Sequence, residues 1–448
     1  MENSSSFFEN RACQFFPCHK LDSPFNCLFC YCPLYDKNPC PGNPTFIKKD
    51  DGKIIKRCTD CVFPHKAENY DKIMSILRVK KEGLSLLSDD LNDFHHGGEL
   101  YELSEKKRGN ILDFSVNTNP LGMPESVKTA LREHFGDFEK YPDQNCRLLK
   151  KNLAEKYAAG LGFSMPADFL TLGNGASQLI SLAVRAVSPK KALLLAPTFS
   201  GYERALKSCD CQICYHKLSR DSGFSLEDDI FSSINKAQPD MLFLCNPNNP
   251  VGKMAKWNLI EKIISFCEER GVFILIDECF IDFTERSHES AVFFVKDSPH
   301  LIVLNAFTKI FSMAGIRLGY LFSSNISLLK KISFLQPEWS VSAVAQIAGL
   351  AALKECDFIE QTKDFIKRER DFLSGELKKM GNTVYQSDSN FILFKSMYEN
   401  VDIFLLKKDI LIRNCGNFRN LTKNDYRIAV RSHEENVRLL KILHTASL

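Results

Sequence analysis

Lys309 stands in the segment Phe307-Thr-Lys-Ile-Phe-Ser-Met-Ala-Gly-Ile-Arg-Leu-Gly-Tyr320, just after the apolar run Leu301-Ile-Val-Leu-Asn305. An amine held among apolar residues loses its proton readily and can condense with an aldehyde to an imine, whereas an arbitrary lysine is a solvated surface residue. Arg317, eight residues on, can reach an anionic group at the same place. Thirty-two residues before Lys309, Asp277 closes a second apolar run, Val272-Phe-Ile-Leu-Ile-Asp277. A carboxylate there can pair with a protonated ring nitrogen and make that ring an electron sink, or it can simply cap the next helix. The turn Gly173-Asn-Gly-Ala-Ser177 leads into an apolar helical stretch. Its free backbone N–H groups and the helix dipole suit a phosphate, although a glycine pair also makes an ordinary loop. Pro197-Thr-Phe-Ser-Gly-Tyr202 supplies rings that either stack on a planar ligand or fill core. Asn246-Pro-Asn-Asn-Pro-Val-Gly252 supplies an amide for a phenolic oxygen, or is a Pro/Asn turn.

These residues all end or follow short apolar runs, which predict buried strands over about 191–197, 241–247, 272–278 and 301–305, with an amphipathic helix over about 258–270 among those between them. Continuous apolar strands alternating with helices predict an α/β domain with a mainly parallel sheet covered on both faces. In such sheets ligands bind beyond the carboxyl ends of the strands, where the informative residues fall. Beyond about residue 341 a long helix and the strand patterns Phe391-Ile-Leu-Phe394 and Tyr426-Arg-Ile-Ala-Val-Arg431 predict a smaller α+β domain. The expected order is a cysteine-rich domain (1–70), a linker helix (71–94), an N-terminal arm with part of the small domain (95–145), the large domain (146–340) and the rest of the small domain (341–448).

Taken in order, Gly-Asn-Gly-Ala, Pro-Thr-Phe-x-x-Tyr, Asn-Pro-Asn-Asn-Pro-x-Gly, Asp-Glu-x-Phe, Thr-Lys and Arg-Leu-Gly-Tyr make a specific set. From about residue 95 to the C-terminus the chain resembles the class I/II pyridoxal-phosphate enzymes of fold type I. The resemblance implies that Lys309 carries the cofactor as a Schiff base, that Asp277 meets the pyridine nitrogen and that Asn249 meets the phenolic oxygen. It implies Tyr202 stacked on the ring, and Gly175, Ala176, Ser177, Thr308 and Arg317 around the cofactor phosphate. Tyr141 would reach the cofactor of a neighbouring subunit, because the family builds its sites at a homodimer interface. His96-Gly-Gly98, Asp113-Phe-Ser-x-Asn117-x-Asn119-Pro-Leu-Gly122, Asp277-Glu-Cys-Phe-Ile-Asp-Phe283 and Tyr426–Arg431 narrow the likeness to the threonine-phosphate decarboxylases of cobalamin biosynthesis, relatives of histidinol-phosphate aminotransferases. Phe280 replaces the tyrosine that many aminotransferases place near the phenolic oxygen, which agrees with that subgroup.

That likeness implies release of CO2 from L-threonine O-3-phosphate or L-serine O-phosphate, leaving an aminoalkyl phosphate. The two substrates differ by one methyl, worth about 1–3 kcal/mol of discrimination. The rivals are histidinol-phosphate-type transamination, and a metal-binding or sensing protein that uses the fold as a platform. By the same resemblance Arg427 binds the substrate carboxylate and Arg413 faces the pocket from a neighbouring strand, with His96 and Asn119 beside the substrate. Guanidinium forks match carboxylate and phosphate oxygens, so two of them suit a substrate anionic at both ends.

The chain has 448 residues, of which 58 are basic and 55 acidic. That near balance excludes the one-signed field of a nucleic-acid binder. No apolar run approaches the roughly 20 residues that span a bilayer, and no export signal opens the chain, so a cytoplasmic location is expected. Eight of the 17 cysteines crowd into the first 61 residues. Cys27-x-x-Cys30-x-Cys32 and Cys58-x-x-Cys61-x-x-x-His65 have metal-knuckle spacing. Cys13, Cys18, His19 and Cys40 add further ligands for a structural metal, zinc or an iron–sulfur cluster, in one site or two. The stretch resembles a small cysteine-rich domain attached to cobamide-pathway proteins. Cys209, Cys211, Cys214 and His216 fall on a predicted helix-to-strand junction and read as core and surface residues.

Overall fold

The computed structural model describes residues 4, 6–35, 40–48, 54–78, 97–98, 111–161 and 164–445. The chain divides into two compact units, Met1–Asp93 and Phe94–Leu448. In the first, β1 (Thr45–Lys48) and β2 (Ile54–Arg57) form an antiparallel hairpin, and a helix runs over Tyr70–Arg78. An isolated bridge joins Phe25 to Lys66. Of the linker helix expected over 71–94, the part beyond Arg78 lies outside the described residues.

The second unit opens with β3 (Leu112–Asp113) and centres on a seven-stranded sheet. Its strands are β4 (Leu170–Gly173), β5 (Lys191–Ala196), β6 (Gln212–Lys217), β7 (Met241–Cys245), β8 (Phe273–Asp277), β9 (Leu301–Ala306) and β10 (Gly319–Phe322), in spatial order β4-β10-β9-β8-β7-β5-β6. Only β10 runs antiparallel to its neighbours, β4 and β9. Side chains alternate across the strands. Leu193, Leu242, Ile274, Ile276 and Val303 join the core on one face, while Leu194, Phe243, Leu275, Ile302 and Leu304 join that on the other. This double burial is why the strands read as unbroken apolar runs. Truncating a residue such as Leu275, fully buried here, costs about 2–5 kcal/mol.

Helices cover both faces, several started by side-chain caps. Asn325 Oδ1 accepts from Leu328 N–H at 2.9 Å and Ser342 Oγ from Ala345 N–H at 3.1 Å, each satisfying a free first-turn donor. The 24-residue helix Cys356–Lys379 leads into β11 (Thr383–Val384), β12 (Phe391–Lys395), β13 (Ile410–Leu411), β14 (Arg413–Asn414) and β15 (Asp425–Ala429). Four of these form an antiparallel sheet, β11-β12-β15-β14, while β13 pairs in parallel with β3, far earlier in the chain. Cys211 is buried and Cys214 and His216 lie on β6, where His216 Nδ1 and Ser233 Oγ hydrogen-bond at 2.8 Å. They are parts of the sheet and its cover.

Candidate active site

The carboxyl ends of the parallel strands open onto a cavity of about 220 Å3. Asp277 ends β8 there, and Lys309 follows β9 on the short helix Phe307–Ile310. Asn249 follows β7, Phe199 follows β5, and Ala176 and Ser177 open the helix Gly175–Val187 after β4. Thr308, Arg317, Arg413 and Arg427 complete the polar wall. Four basic side chains thus face one carboxylate, a field that suits a ligand with more than one negative charge.

Asp277 is buried; its Oδ2 accepts from Tyr202 O–H at 2.6 Å and its Oδ1 from Cys279 N–H at 3.0 Å. Burial pushes its carboxyl up, while those two donors favour the ionised form. Burial, and then the Arg427 and Arg317 charges, pull Lys309 down to about 8. Its amine is therefore neutral in an appreciable fraction near neutral pH.

Arg427 is buried, with Nη1 donating to Asn249 Oδ1 at 2.6 Å and Nη2 to the Ser115 carbonyl at 2.7 Å. Among the described residues its Nε has no partner, and neither has Oδ1 of Asn117, another residue of the wall. Burial, with the Arg413 charge behind it, pulls Arg427 down to about 10. Arg413 and Arg427 are direct cross-strand partners in the β14–β15 ladder. Arg413 Nη2 donates to Asn417 Oδ1 at 2.9 Å, and its guanidinium lies 5.5 Å from the Phe418 ring centroid.

Three features of this wall fit pyridoxal phosphate. Asp277 has no ion-pair partner among the described residues, leaving its charge for a protonated ring nitrogen. The first turn of the helix Gly175–Val187 lies under the Arg317 guanidinium, and a Cβ on Gly175 would stand 2.7 Å from Arg317 Nη2. Gly319 likewise lies so close that its Cβ would be 2.7 Å from Ala176 N. The two glycines keep Arg317 beside free backbone donors, as a phosphate requires. Finally, the Lys309 amine faces the same space with its proton weakly held. When bound there, pyridoxal phosphate supplies an aldehyde for amines and a ring that draws electrons from the adjoining carbon.

Two sequence expectations, for Tyr202 and Asn119, need correction. Tyr202 does not face the cavity: the helix Ser200–Lys207 carries it inward, fully buried, its ring stacked on Phe243 at 5.2 Å and its hydroxyl spent on Asp277. The aromatic wall is Phe199 instead. Asn119 does not line the cavity either: its Nδ2 donates to the Ile310 carbonyl and Thr362 Oγ1 and its Oδ1 accepts from Leu121 N–H. Asn117, two residues earlier, holds the place in the wall. Tyr141 is 80% exposed and packs against Trp339, away from this cavity. His96 lies outside the described residues. In the first unit Cys18, His19 and His65 bring ligand atoms within 4.8 Å of one another. A second, larger cavity of about 320 Å3, lined by Tyr157, Asp282, Tyr320 and Lys363 among others, holds none of the catalytic set.

The sheet and wall together define a fold type I pyridoxal-phosphate enzyme, and the chain belongs to the class I and II aminotransferase family: residues 109–443 match the model described as aminotransferase class I and II. Residues 4–85 match that of a cysteine-rich small domain. The chain is 35% identical over 355 residues to the threonine-phosphate decarboxylase of Salmonella typhimurium, covering 78% of this chain and 95% of that protein. Among solved structures it is similar to histidinol-phosphate aminotransferase from Clostridium acetobutylicum (TM-score 0.69, 32% identity, 75% of this chain and 99% of that one). L-threonine-O-3-phosphate decarboxylase from Porphyromonas gingivalis shares the fold (TM-score 0.64, 21% identity, 74% of this chain and 98% of that one).

Proposed function

We propose that the chain is a pyridoxal-phosphate-dependent carboxy-lyase acting on L-threonine O-3-phosphate, or on L-serine O-phosphate, to give CO2 and an aminoalkyl phosphate for cobamide assembly. The observation that carries this reading is the pairing of Arg413 with Arg427 across one ladder, both opening on the cavity that holds Lys309. Arg317 serves the cofactor phosphate, so the other two guanidiniums remain for the two anionic ends of the substrate. Arg427 holds the carboxylate end through its unpartnered Nε, and Arg413 the phosphate end. The bond aligned with the electron-withdrawing system is the one that breaks, so these anchors choose the reaction by the angle at which they hold Cα. Lys309 Nζ then delivers to Cα the proton that replaces the departing carboxylate. Phe280, a cavity residue packed edge-on against Phe391 at 5.0 Å, offers no hydroxyl beside the reacting centre.

Tyr141, exposed here, reaches into the site of a second copy in a homodimer. The amino-terminal unit binds metal through its cysteines and histidines. A cytoplasmic location is consistent with 17 cysteines that are all free thiols; none of the described helices is long and apolar enough to cross a membrane. The reaction is tested by offering the holoenzyme L-threonine O-3-phosphate, L-serine O-phosphate and, with an oxo-acid acceptor, histidinol phosphate. CO2 from either of the first two supports the proposal; turnover of histidinol phosphate alone would replace it with transamination.

A further inference from the structure

The amino-terminal unit has little core of its own. Among its described residues the buried apolar side chains are Phe7, Phe25, Leu34, Cys61 and Ile73, and its eight cysteines are free thiols. A unit of this size with so small a core needs staples, and a metal ion can serve. One place in it gathers three ligand side chains: Cys18 Sγ and ring nitrogens of His19 and His65 lie within 4.8 Å of one another.

The backbone decides which nitrogen each histidine turns inward. Asn26 N–H donates to the His65 carbonyl at 2.8 Å, next to the Phe25–Lys66 bridge, so these two stretches lie side by side. His65 Nδ1 is 3.2 Å from the Asn26 carbonyl oxygen. A carbonyl only accepts, so Nδ1 carries the hydrogen and Nε2 the lone pair. The His65 ring is buried and held between Phe25, stacked on it at 4.6 Å, and His19 at 4.8 Å. Its Nε2 lies 4.0 Å from Cys18 Sγ. His19 is held the opposite way round. Its Nε2–H donates to the Thr59 carbonyl at 2.9 Å, which leaves the Nδ1 lone pair 3.3 Å from the same sulfur.

Two lone pairs therefore converge on one thiol. A thiol has a single hydrogen and satisfies one of them, whereas a divalent cation on the thiolate satisfies both. In a tetrahedral zinc site, with Zn–S about 2.3 Å and Zn–N about 2.0–2.1 Å, sulfur and nitrogen ligands stand about 3.6 Å apart. The separations here, 3.3 and 4.0 Å, fall on either side of that value. Metal-bound imidazoles also tie their outer nitrogen to a carbonyl or carboxylate, as both of these do.

We infer that a zinc ion binds here to the Cys18 thiolate, to Nδ1 of His19 and to Nε2 of His65. It staples together chain segments 47 residues apart. This rests on the metal-binding reading above and adds the ligands of one ion and the nitrogen that each histidine uses. The test is NMR of the full-length chain with isotope-labelled histidines, loaded with spin-active cadmium in place of zinc. Coupling to the metal is expected at Nδ1 of His19 and Nε2 of His65. Cys18→Ser, His19→Ala and His65→Ala should each bind one zinc ion fewer than wild type. His65→Cys should keep the full number, which separates loss of a ligand from loss of the fold. Coupling through the opposite nitrogen of either ring, no coupling at one of them, full zinc content in any of the first three variants, or loss of the ion from His65→Cys would overturn this site. A wild-type chain that takes up no metal on reconstitution would overturn the metal-binding reading itself.

Discussion

Replacing Arg413 by alanine removes one guanidinium from the cavity, together with its bond to Asn417 and its place beside the Phe418 ring. Its Nη2 bonds to Asn417, a residue that is only half-buried, so water can take over the vacated amide. Arg427 is different: its loss strands Asn249 Oδ1 and the Ser115 carbonyl, both in the interior, at about 1–3 kcal/mol for each unpaired group. Arg413→Ala therefore reports on substrate binding more cleanly. A hydrogen bond to a charged group contributes about 1.5–3 kcal/mol, which is roughly a ten- to hundredfold change in kcat/KM. The assay compares kcat/KM for L-threonine O-3-phosphate with that for L-threonine in wild type, Arg413→Ala and Arg413→Lys. The phosphorylated substrate should lose about ten- to hundredfold in Arg413→Ala and recover only partly in Arg413→Lys, which keeps the charge but not the fork. The unphosphorylated amino acid should change little. Equal losses on both substrates would refute the assignment of Arg413 to the phosphate.

Lys309→Ala should abolish turnover and leave no cofactor that borohydride can fix to the chain; labelling of another lysine in wild type would contradict this. Because Lys309 is pulled down to about 8, its amine is protonated below that pH and neutral above it. The rate at which the apoenzyme takes up pyridoxal phosphate should thus rise with pH and level off above about 8, and a flat profile from pH 6 to 9 would count against it. Gly175→Ala places a Cβ 2.7 Å from Arg317 Nη2 at a φ of +75°. That Cβ displaces the Arg317 guanidinium from the helix's first turn, and losing a charge-assisted bond to the phosphate, about 1.5–3 kcal/mol, should lower cofactor affinity measured by titration about tenfold or more; unchanged affinity would deny the cradle. Tyr202→Phe keeps the ring against Phe243 but removes the 2.6 Å bond to buried Asp277; kcat should fall about tenfold and Tm by a few degrees, since the stranded oxygen costs about 1–3 kcal/mol, and full activity would show that Asp277 does not need this donor.

Strands β5, β7, β8 and β9 are legible in the sequence because burial on both faces leaves no polar residue to break the run. β10 is not: Gly319–Phe322 is short, and its reversed direction depends on pairing with β4 and β9, which no local pattern encodes. Lys309, Asp277, Arg317 and Asn249 can be placed because each closes or follows such a run. The errors lie where two like residues compete for one place. Asn117 and Asn119 have the same side chain, and only contacts with Ile310 and Thr362, far along the chain, tie up Asn119. Phe199 and Tyr202 are one helical turn apart, and the hydroxyl that made Tyr202 look functional is what draws it to Asp277. A tyrosine three residues after a cavity aromatic, facing a strand-end Asp, is a signal that could have been weighed. Arg413 and Arg427 are legible as a pair because each borders an apolar run, though their direct opposition is set by the register of β14 on β15.

The central claim is that this site breaks the Cα–carboxylate bond of a phosphorylated amino acid and puts a proton in its place. The direct measurement is incubation of the holoenzyme with carboxyl-labelled L-threonine O-3-phosphate in D2O, following labelled CO2 and the isotope content of the amine. One labelled CO2 per turnover, with a single deuterium at the former Cα of an aminoalkyl phosphate and none of either in Lys309→Ala, is the expected result. Label retained in an oxo acid, with the amino group passed to an acceptor, would contradict the account.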